Sequence, residues 1–348
     1  MYDKEFCMSS FLAFRYIERK DADFFPGLCH LKVELPKKEE CTKIGDENDL
    51  DAELKRIFKS LENEKIGILL SGGMDSACLA AYAKEGTDAY TFRFLKGNFD
   101  TEELKRAEAF AKYYKLNLHY VDIDFDLIKG ALPKVMENKN APVHSIEPQL
   151  YLAAQQAKKD GVTMIVFGDA ADYVFYGMDG LLSRDWLFED YVKRATYIMP
   201  EKVMKHPGDY RYLYERYRQG DHIDFLKFYD EVVTEESYLS YVNSFTAAGI
   251  KAIDPYEKMI LAEPVDLERI RRGDSKYFIR RLFKMKYPTI PLPEKHPMPR
   301  PVDEYFKNWE GPKRKEFLEN IDMSQFSGNQ KWLLFCLEEF LNKYEPKE

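Results

Sequence analysis

The stretch GILLSGGMDSACLAAYA, Gly67 to Ala83, decides the architecture. Ile66 to Leu70 is a short continuous apolar run, which is how a parallel strand buried on both faces reads. It ends at once in Ser71-Gly72-Gly73, and an alanine-rich helix is expected from Met74 to Lys84. A strand that runs through two glycines into a helix N-terminus presents several unpaired N–H groups in one direction. With the positive end of the helix dipole they form an anion site. Glycine matters there because a β-carbon blocks the approach of a phosphate oxygen or forbids the backbone angles. Ser71 and Ser76 add hydroxyl donors. Asp75, an acid at a site built for anions, makes sense when a divalent cation bridges it to phosphate oxygens. A tight turn with a capping serine is the bland alternative, and it suffices for Gly-Gly alone. The full Ser-Gly-Gly-x-Asp-Ser after an apolar strand outweighs it. The loop has neither the Gly-Lys-Ser/Thr ending of a Walker A motif nor a Gly-x-Gly-x-x-Gly pattern.

Outward from this loop, strand and helix alternate. Strands are expected at 89–94, 116–122 and 163–167, the last ending on Gly168-Asp169, and helices at about 48–62, 101–114 and 147–159. Such alternation predicts an α/β fold, an open parallel sheet with helices on both faces, whose ligands bind at the carboxyl ends of strands. Both candidate motifs, at 71–76 and 168–172, sit at such ends. From about 180 onward the pattern becomes helical and rich in Tyr, Arg and Phe, with no convincing strand. Its aromatics between 186 and 246 (Trp186, Phe188, Tyr191, Tyr210, Tyr214, Tyr217) are read mostly as core, a few as lining for an acceptor pocket. Residues 287–301 carry so many prolines that they form a loop, which bears Lys295, His296 and Arg300. Arg184, Arg194 and Arg280 suit either structural ion pairs or the anion of a second substrate. His144 and His296 lack metal-ligand spacing and read as loop histidines. The expected division is 1–60 as an N-terminal junction segment, 61–180 as the nucleotide-binding core, and 181–348 as a helical part completing the acceptor pocket.

The chain has 348 residues, 45% hydrophobic and 32% charged, enough to bury a sizeable core. Its formal charge of −8 is the wrong sign for holding a polyphosphate backbone across the whole surface, so no nucleic-acid partner is expected. The five cysteines are scattered, with no Cys-x-x-Cys pair, which argues against a disulfide framework or a structural zinc. The opening residues lack a signal-peptide pattern, and no run approaches the roughly 20 apolar residues that span a bilayer. A cytoplasmic protein without a membrane partner is the expectation. The aromatic run Trp332 to Phe340 is either core or a subunit contact, so a homodimer is one expectation.

Ser71-Gly72-Gly73-Met74-Asp75-Ser76 resembles the pyrophosphate-binding loop of the PP-loop ATP pyrophosphatase superfamily, and within it the synthetase domain of asparagine synthetase and β-lactam synthetase. Phe167 to Gly177 is similar to that family's Gly-Asp/Glu-Gly-x-Asp-Glu-hydrophobic-Phe-x-Gly block. Lys276-Tyr277-Phe278-Ile279-Arg280 resembles its Lys-x-x-Leu-Arg helix, and Pro291 to Lys295 the approach to its late active-site lysine. In order and spacing these cover about 60 to 310, and Phe6 to Leu31 looks like the junction preceding the domain in longer members. Two departures stand out: Asp172-Tyr173 replaces the family's Asp-Glu, and Ala170 replaces a usual glycine. The glutaminase domain of asparagine synthetases is not expected here, because it needs an N-terminal cysteine and residue 2 is Tyr2.

The resemblance implies ATP and Mg2+ as cofactors. A substrate carboxylate would attack the α-phosphate to give an acyl-adenylate and pyrophosphate, and ammonia or an amine would displace AMP. It implies that Ser71, Gly72, Gly73 and Ser76 cradle pyrophosphate, that Asp75 and Asp172 hold Mg2+, and that Leu70, Phe94 and Gly168 flank the nucleotide. Lys276 would touch pyrophosphate, Lys295 would stabilise charge as the adenylate forms and breaks, and Asp169 would position or deprotonate. The expected partners are a small-molecule carboxylate and an ammonia or amine donor, with a separate glutaminase subunit as one source. The alternatives are a PP-loop enzyme that adenylates an RNA base and a catalytically degenerate ATP-binding partner protein.

Overall fold

The computed structural model describes residues 1–96, 101–294, 298 and 300–345. Five parallel strands form the central sheet: β1 (Ile66–Leu69), β2 (Asp88–Phe94), β3 (Asn117–Ile123), β4 (Met164–Val166) and β5 (Lys251–Ile253). Their spatial order is β3-β2-β1-β4-β5, every neighbouring pair parallel. The chain leaves β1 towards β2 on one side and returns to β4 on the other. The crevice beyond the carboxyl ends of β1 and β4 is therefore the topological switch point, where open α/β sheets take their ligands.

Alternation along the strands sends side chains into two cores. Ile68, Leu70 and Ala89 join a cluster beneath α2 (Glu47–Ser60), α3 (Met74–Ala80) and α4 (Glu102–Tyr113). Tyr90, Val121 and Ile165 join a second cluster under α5 (Phe125–Lys139) and α6 (Glu147–Lys159). The predicted helices and strands of residues 47–166 are present, within a few residues at their ends. Unforeseen is α5, which runs through Pro133.

The first 60 residues are not a peripheral appendage. Helix α1 (Lys4–Phe14) is buried from Phe6 to Phe14, and Thr42–Ile44 pairs in parallel with Met259–Leu261. The part after 180 is mainly helical but also supplies β5, correcting the expectation that no strand lies there. Lys251-Ala-Ile253 is a three-residue edge strand with one large apolar side chain, too short and too exposed to show a period. After α7 (Ala170–Val174), the longer helices are α8 (Thr234–Ala248), α9 (Tyr277–Lys286) and α10 (Gly328–Tyr344). The run Trp332 to Phe340 on α10 packs inside this chain as core. Trp186, Phe188, Tyr191, Tyr210, Tyr214 and Tyr217 are likewise buried. Among the described residues no helix is long and apolar enough to cross a membrane.

Candidate active site

The loops after β1 and β4 bring two carboxylates together at the switch point: Asp75 in the first turn of α3, and Asp172 on α7. Between them stands Lys276, with Nζ 2.7 Å from Asp75 Oδ2 and 2.8 Å from Asp172 Oδ1. Lys276 is 2% exposed and holds a left-handed φ of 49° immediately before α9. A non-glycine residue pays about 1–2 kcal/mol for that backbone, a strain that persists only where the surroundings enforce it. Burial by itself would lower the lysine pKa. Asp172 and Asp75 outweigh it and raise the pKa above the ordinary value, so this ammonium is permanently charged. Both acids are also pinned through their backbones. The Tyr256 hydroxyl donates to Asp75 O at 2.9 Å, and the Tyr229 hydroxyl donates to Asp172 O.

The glycine loop folds back on itself. Ser71 N–H donates to Ser76 Oγ at 3.0 Å, the two hydroxyls are 3.0 Å apart, and Gly73 N–H donates to Ser71 Oγ at 3.1 Å. Arg106 Nε holds the Gly72 carbonyl at 3.1 Å. The two glycines serve different ends. A β-carbon on residue 72 would stand 2.4 Å from Glu103 O, so α4 itself requires Gly72. On residue 73 it would meet only Ser71 Oγ at 3.2 Å, so the room for an incoming ligand is at Gly73.

Asp169 is half-buried where β4 gives way to α7, and Ser237 Oγ of α8 donates to its Oδ2. Burial pushes its pKa up to about 7, and the negative charges of Asp172 and Glu236 add to the rise against hydrogen bonds from Ser237 and Tyr241. Its loop is anchored by Asp254, just beyond β5, which accepts Ala170 N–H at 2.6 Å. A carboxyl that titrates near neutrality can exchange a proton with an amine.

The structure does not bring all the predicted nucleotide neighbours together. Leu70 is 1% exposed, its side chain in the core under α3 and α4, whereas Phe94 packs against the opposite core. The two cannot sandwich one base, and Leu70 can offer a nucleotide only backbone. A β-carbon on Gly168 would meet Leu79 at 3.1 Å and Tyr256 at 3.2 Å, so packing explains that glycine. Lys295 and His296 lie outside the described residues. Arg280 donates to Ser275 O at 2.8 Å, and Arg184 lies over Trp186 and faces Asp190 at 3.7 Å, both structural uses. His144 lies in a loop, as expected, just ahead of α6, and is buried there at 6% exposure. Gly177 closes the block similar to the family's but had no role assigned to it, and Ser237, Tyr241, Tyr256, Asp254 and Arg106 lie in no sequence pattern that separates them from ordinary helix or loop residues.

Two carboxylates converging on one cationic point are the donor set a hard divalent ion takes when phosphate oxygens and water complete its shell. Asp75 and Asp172 therefore fit Mg2+, although Lys276 Nζ holds that point here. Among the described residues no group of three or more His, Cys, Asp or Glu assembles, so the remaining ligands would come from phosphate and water. Beside Gly177 opens a cavity of about 470 Å³, lined also by Arg194, Tyr197 and Glu236.

A family model described as asparagine synthase matches residues 56–251, more than half of the chain. The 7-cyano-7-deazaguanine synthase of Thermoplasma volcanium is 31% identical over 129 residues, covering 32% of this chain and 54% of that protein. A Methanocaldococcus jannaschii protein provisionally named a glutamine-hydrolysing asparagine synthetase is 25% identical over 168 residues, covering 47% of this chain and 30% of its own. The chain thus spans about half the length of the first relative and under a third of the second. The U34-tRNA thiolase NcsA of Methanococcus maripaludis aligns at 14% identity over 76% of this chain and 89% of its own, with a TM-score of 0.28, which adds nothing to the fold described above.

Proposed function

Because this chain belongs to the asparagine synthase family, we propose that it uses ATP to activate a carboxylate as an acyl-adenylate and passes the acyl group to ammonia or an amine. The observation that carries the reading is the meeting of the loops after β1 and β4 around Asp75, Asp172 and Lys276, with Asp169 alongside. In the first step a carboxylate oxygen attacks the α-phosphorus and the bond to pyrophosphate breaks. The leaving group gathers negative charge, and fixed cations and N–H donors aimed at it lower the barrier. Lys276 is such a cation, desolvated and held on both sides. Gly73 and the first turn of α3 are such donors. Asp75 and Asp172 would hold Mg2+, which supplies further positive charge to the phosphates when bound.

In the second step the nitrogen attacks the acyl carbon, the bond to AMP breaks, and the nitrogen sheds a proton. Asp169, with its pKa near 7, takes that proton. The nitrogen comes from free ammonia, from a separate glutaminase subunit, or from an amine. Stimulation by glutamine in the presence of candidate partner subunits separates these sources.

The test is magnesium-dependent exchange of labelled pyrophosphate into ATP against a panel of amino acids, sugar acids and deazapurine acids, the last because a matched relative is named for a deazaguanine product. Exchange that depends on one acid establishes adenylation and identifies the acceptor. ATP turnover that never yields AMP and pyrophosphate under any acceptor condition rejects it.

A further inference from the structure

A second and larger cavity, of about 1120 Å³, opens between the segment 16–43, the turn of helix ahead of α8 and the strand Met259–Leu261. Asp75, Asp169, Asp172 and Lys276 do not line it, although α7, which carries Asp172, lends it Tyr173 and Val174. Much of its wall, from 16–43 and 257–265, lies outside the matched residues 56–251, so the family match does not account for it.

The walls are apolar and aromatic, with Val33, Leu261 and Val265 beside the rings of Tyr16, Tyr212 and Tyr217. Two of those rings end in hydroxyls that nothing meets. Tyr16 is 2% exposed, and its hydroxyl, like that of Tyr212, is buried without a hydrogen-bond partner among the described residues. A buried phenol left in this way costs free energy unless a ligand completes it.

The charge around the cavity is one-sided. Seven acids and five bases border it, which makes its field negative, and most of the bases are already taken. Arg216 holds Glu18 at 2.5 Å, Lys38 holds Asp230 at 3.0 Å and Arg19 holds Asp21 at 3.1 Å. Glu235, in the first turn of α8, is left with Lys20, which is 3.9 Å away and more than half exposed. Burial raises the Glu235 pKa, and Glu18 adds to the rise against Lys20 and Arg216. Burial raises Glu257 in the same way, against a hydrogen bond from Tyr238 and the charge of Lys258. At Tyr16 burial again leads the rise, followed by Glu235 and Glu18, so its hydroxyl lies in the field of those two carboxylates. The chain reaches Glu235 through a π-helical turn, Tyr229–Val233, which carries Asp230, Glu231 and Val232 to the cavity. Such turns are rare and frequent at functional sites.

We propose that this cavity binds an organic amine with an apolar body, its ammonium against Glu235, one N–H donating to the Tyr16 hydroxyl oxygen, and its alkyl or aromatic body along the tyrosines. A desolvated carboxylate short of a partner favours a cation, and tyrosine faces add cation–π attraction. The site lies apart from Asp75, Asp172 and Lys276 and does not rest on the adenylation reading, since binding alone tests it.

The experiment is calorimetric titration of the full chain, near neutral pH, with amines and alcohols of the same body: phenethylamine against phenethyl alcohol, tryptamine against tryptophol, and hexylamine against hexanol. None carries a carboxylate, so adenylation does not enter the readout. Wild type, Glu235→Gln and Tyr16→Phe are compared. In wild type at least one amine should bind roughly tenfold or more tightly than its alcohol. Glu235→Gln should bring that pair to near equality, and Tyr16→Phe should narrow the gap several-fold. The Tyr16 hydroxyl has no hydrogen bond to lose, so Tyr16→Phe should melt at or above the wild-type temperature. Equal affinity of amine and alcohol in every pair overturns the proposal. So does an amine preference unchanged in either variant, as an amine held by Asp75 and Asp172 would show. A clear drop in the melting temperature of Tyr16→Phe overturns it too, because the hydroxyl would then already have a partner.

Discussion

A β-carbon placed on Gly177 would lie 2.0 Å from Lys276 Cε, and 2.2 Å from Asp172 Oδ1. The missing side chain of one residue is the space the other occupies. Gly177→Ala should therefore push Lys276 out from between the two acids. Overpacking of this kind costs about 1–3 kcal/mol, readable by chemical denaturation. Pyrophosphate exchange should fall by about 100-fold, the scale of losing one aimed electrostatic contact. Exchange at the wild-type rate in Gly177→Ala would show that the placement of Lys276 is not needed.

Lys276→Met leaves two carboxylates facing each other without the ammonium. Breaking a buried pair in this way should cost about 3 kcal/mol of stability. Millimolar Mg2+ should then raise the melting temperature of Lys276→Met more than that of wild type, because a metal can take the vacated point. An equal response in the two proteins means that Asp75 and Asp172 are not a cation site.

Asp169 gives the pH dependence a definite sign. Its folded pKa, near 7, lies above the ordinary value of 3.8, so the folded state holds this proton more tightly than the unfolded chain across that window. The stabilisation is fully present below the lower value and is lost as pH rises through 7, amounting to ~4 kcal/mol. Asp169→Asn should remove this fall, leaving stability flatter than wild type between the two pKa values. The rate of acyl transfer in wild type should rise through the same pH as the carboxylate forms. A rate that stays level through neutrality, or the same pH dependence of stability in Asp169→Asn, removes Asp169 from the role of base.

Ser76→Ala takes away the acceptor of Ser71 N–H and one member of the hydroxyl pair. An unmet hydrogen bond of this type costs about 1 kcal/mol, and ATP binding should weaken several-fold by calorimetry. Unchanged affinity places the ligand away from this loop.

Much of the site can be read from residue order because its first elements are local. The apolar run Ile66–Leu70, the glycines that end it, and acids a few positions beyond the ends of β1 and β4 are short-range patterns, and a parallel sheet places strand ends together once alternation is established. Asp75 follows from that alone, whereas Asp172 is marked by the resemblance of residues 167–177 to the family's block. The identity of Gly72 was legible but its reason was not, since the atom that excludes a side chain belongs to Glu103.

What only the tertiary structure decided are the relations between residues far apart in the chain. Lys276 reaches Asp75 across 201 positions, and Ser237 reaches Asp169 across 68. Residues 15, 144, 236 and 300 share one cluster. No periodicity encodes such meetings. They arise when two hydrophobic cores close on the sheet and carry polar side chains with them, so that burial and charge, rather than spacing, select which lysine is held between acids and which arginines meet at one imidazole. By itself the sequence determined the sheet, the glycine loop and the two acids. The cation between those acids, the carboxyl that titrates near neutrality and the surplus of acids around the larger cavity exist only once the chain is packed, because each depends on desolvation and on neighbours that packing alone supplies.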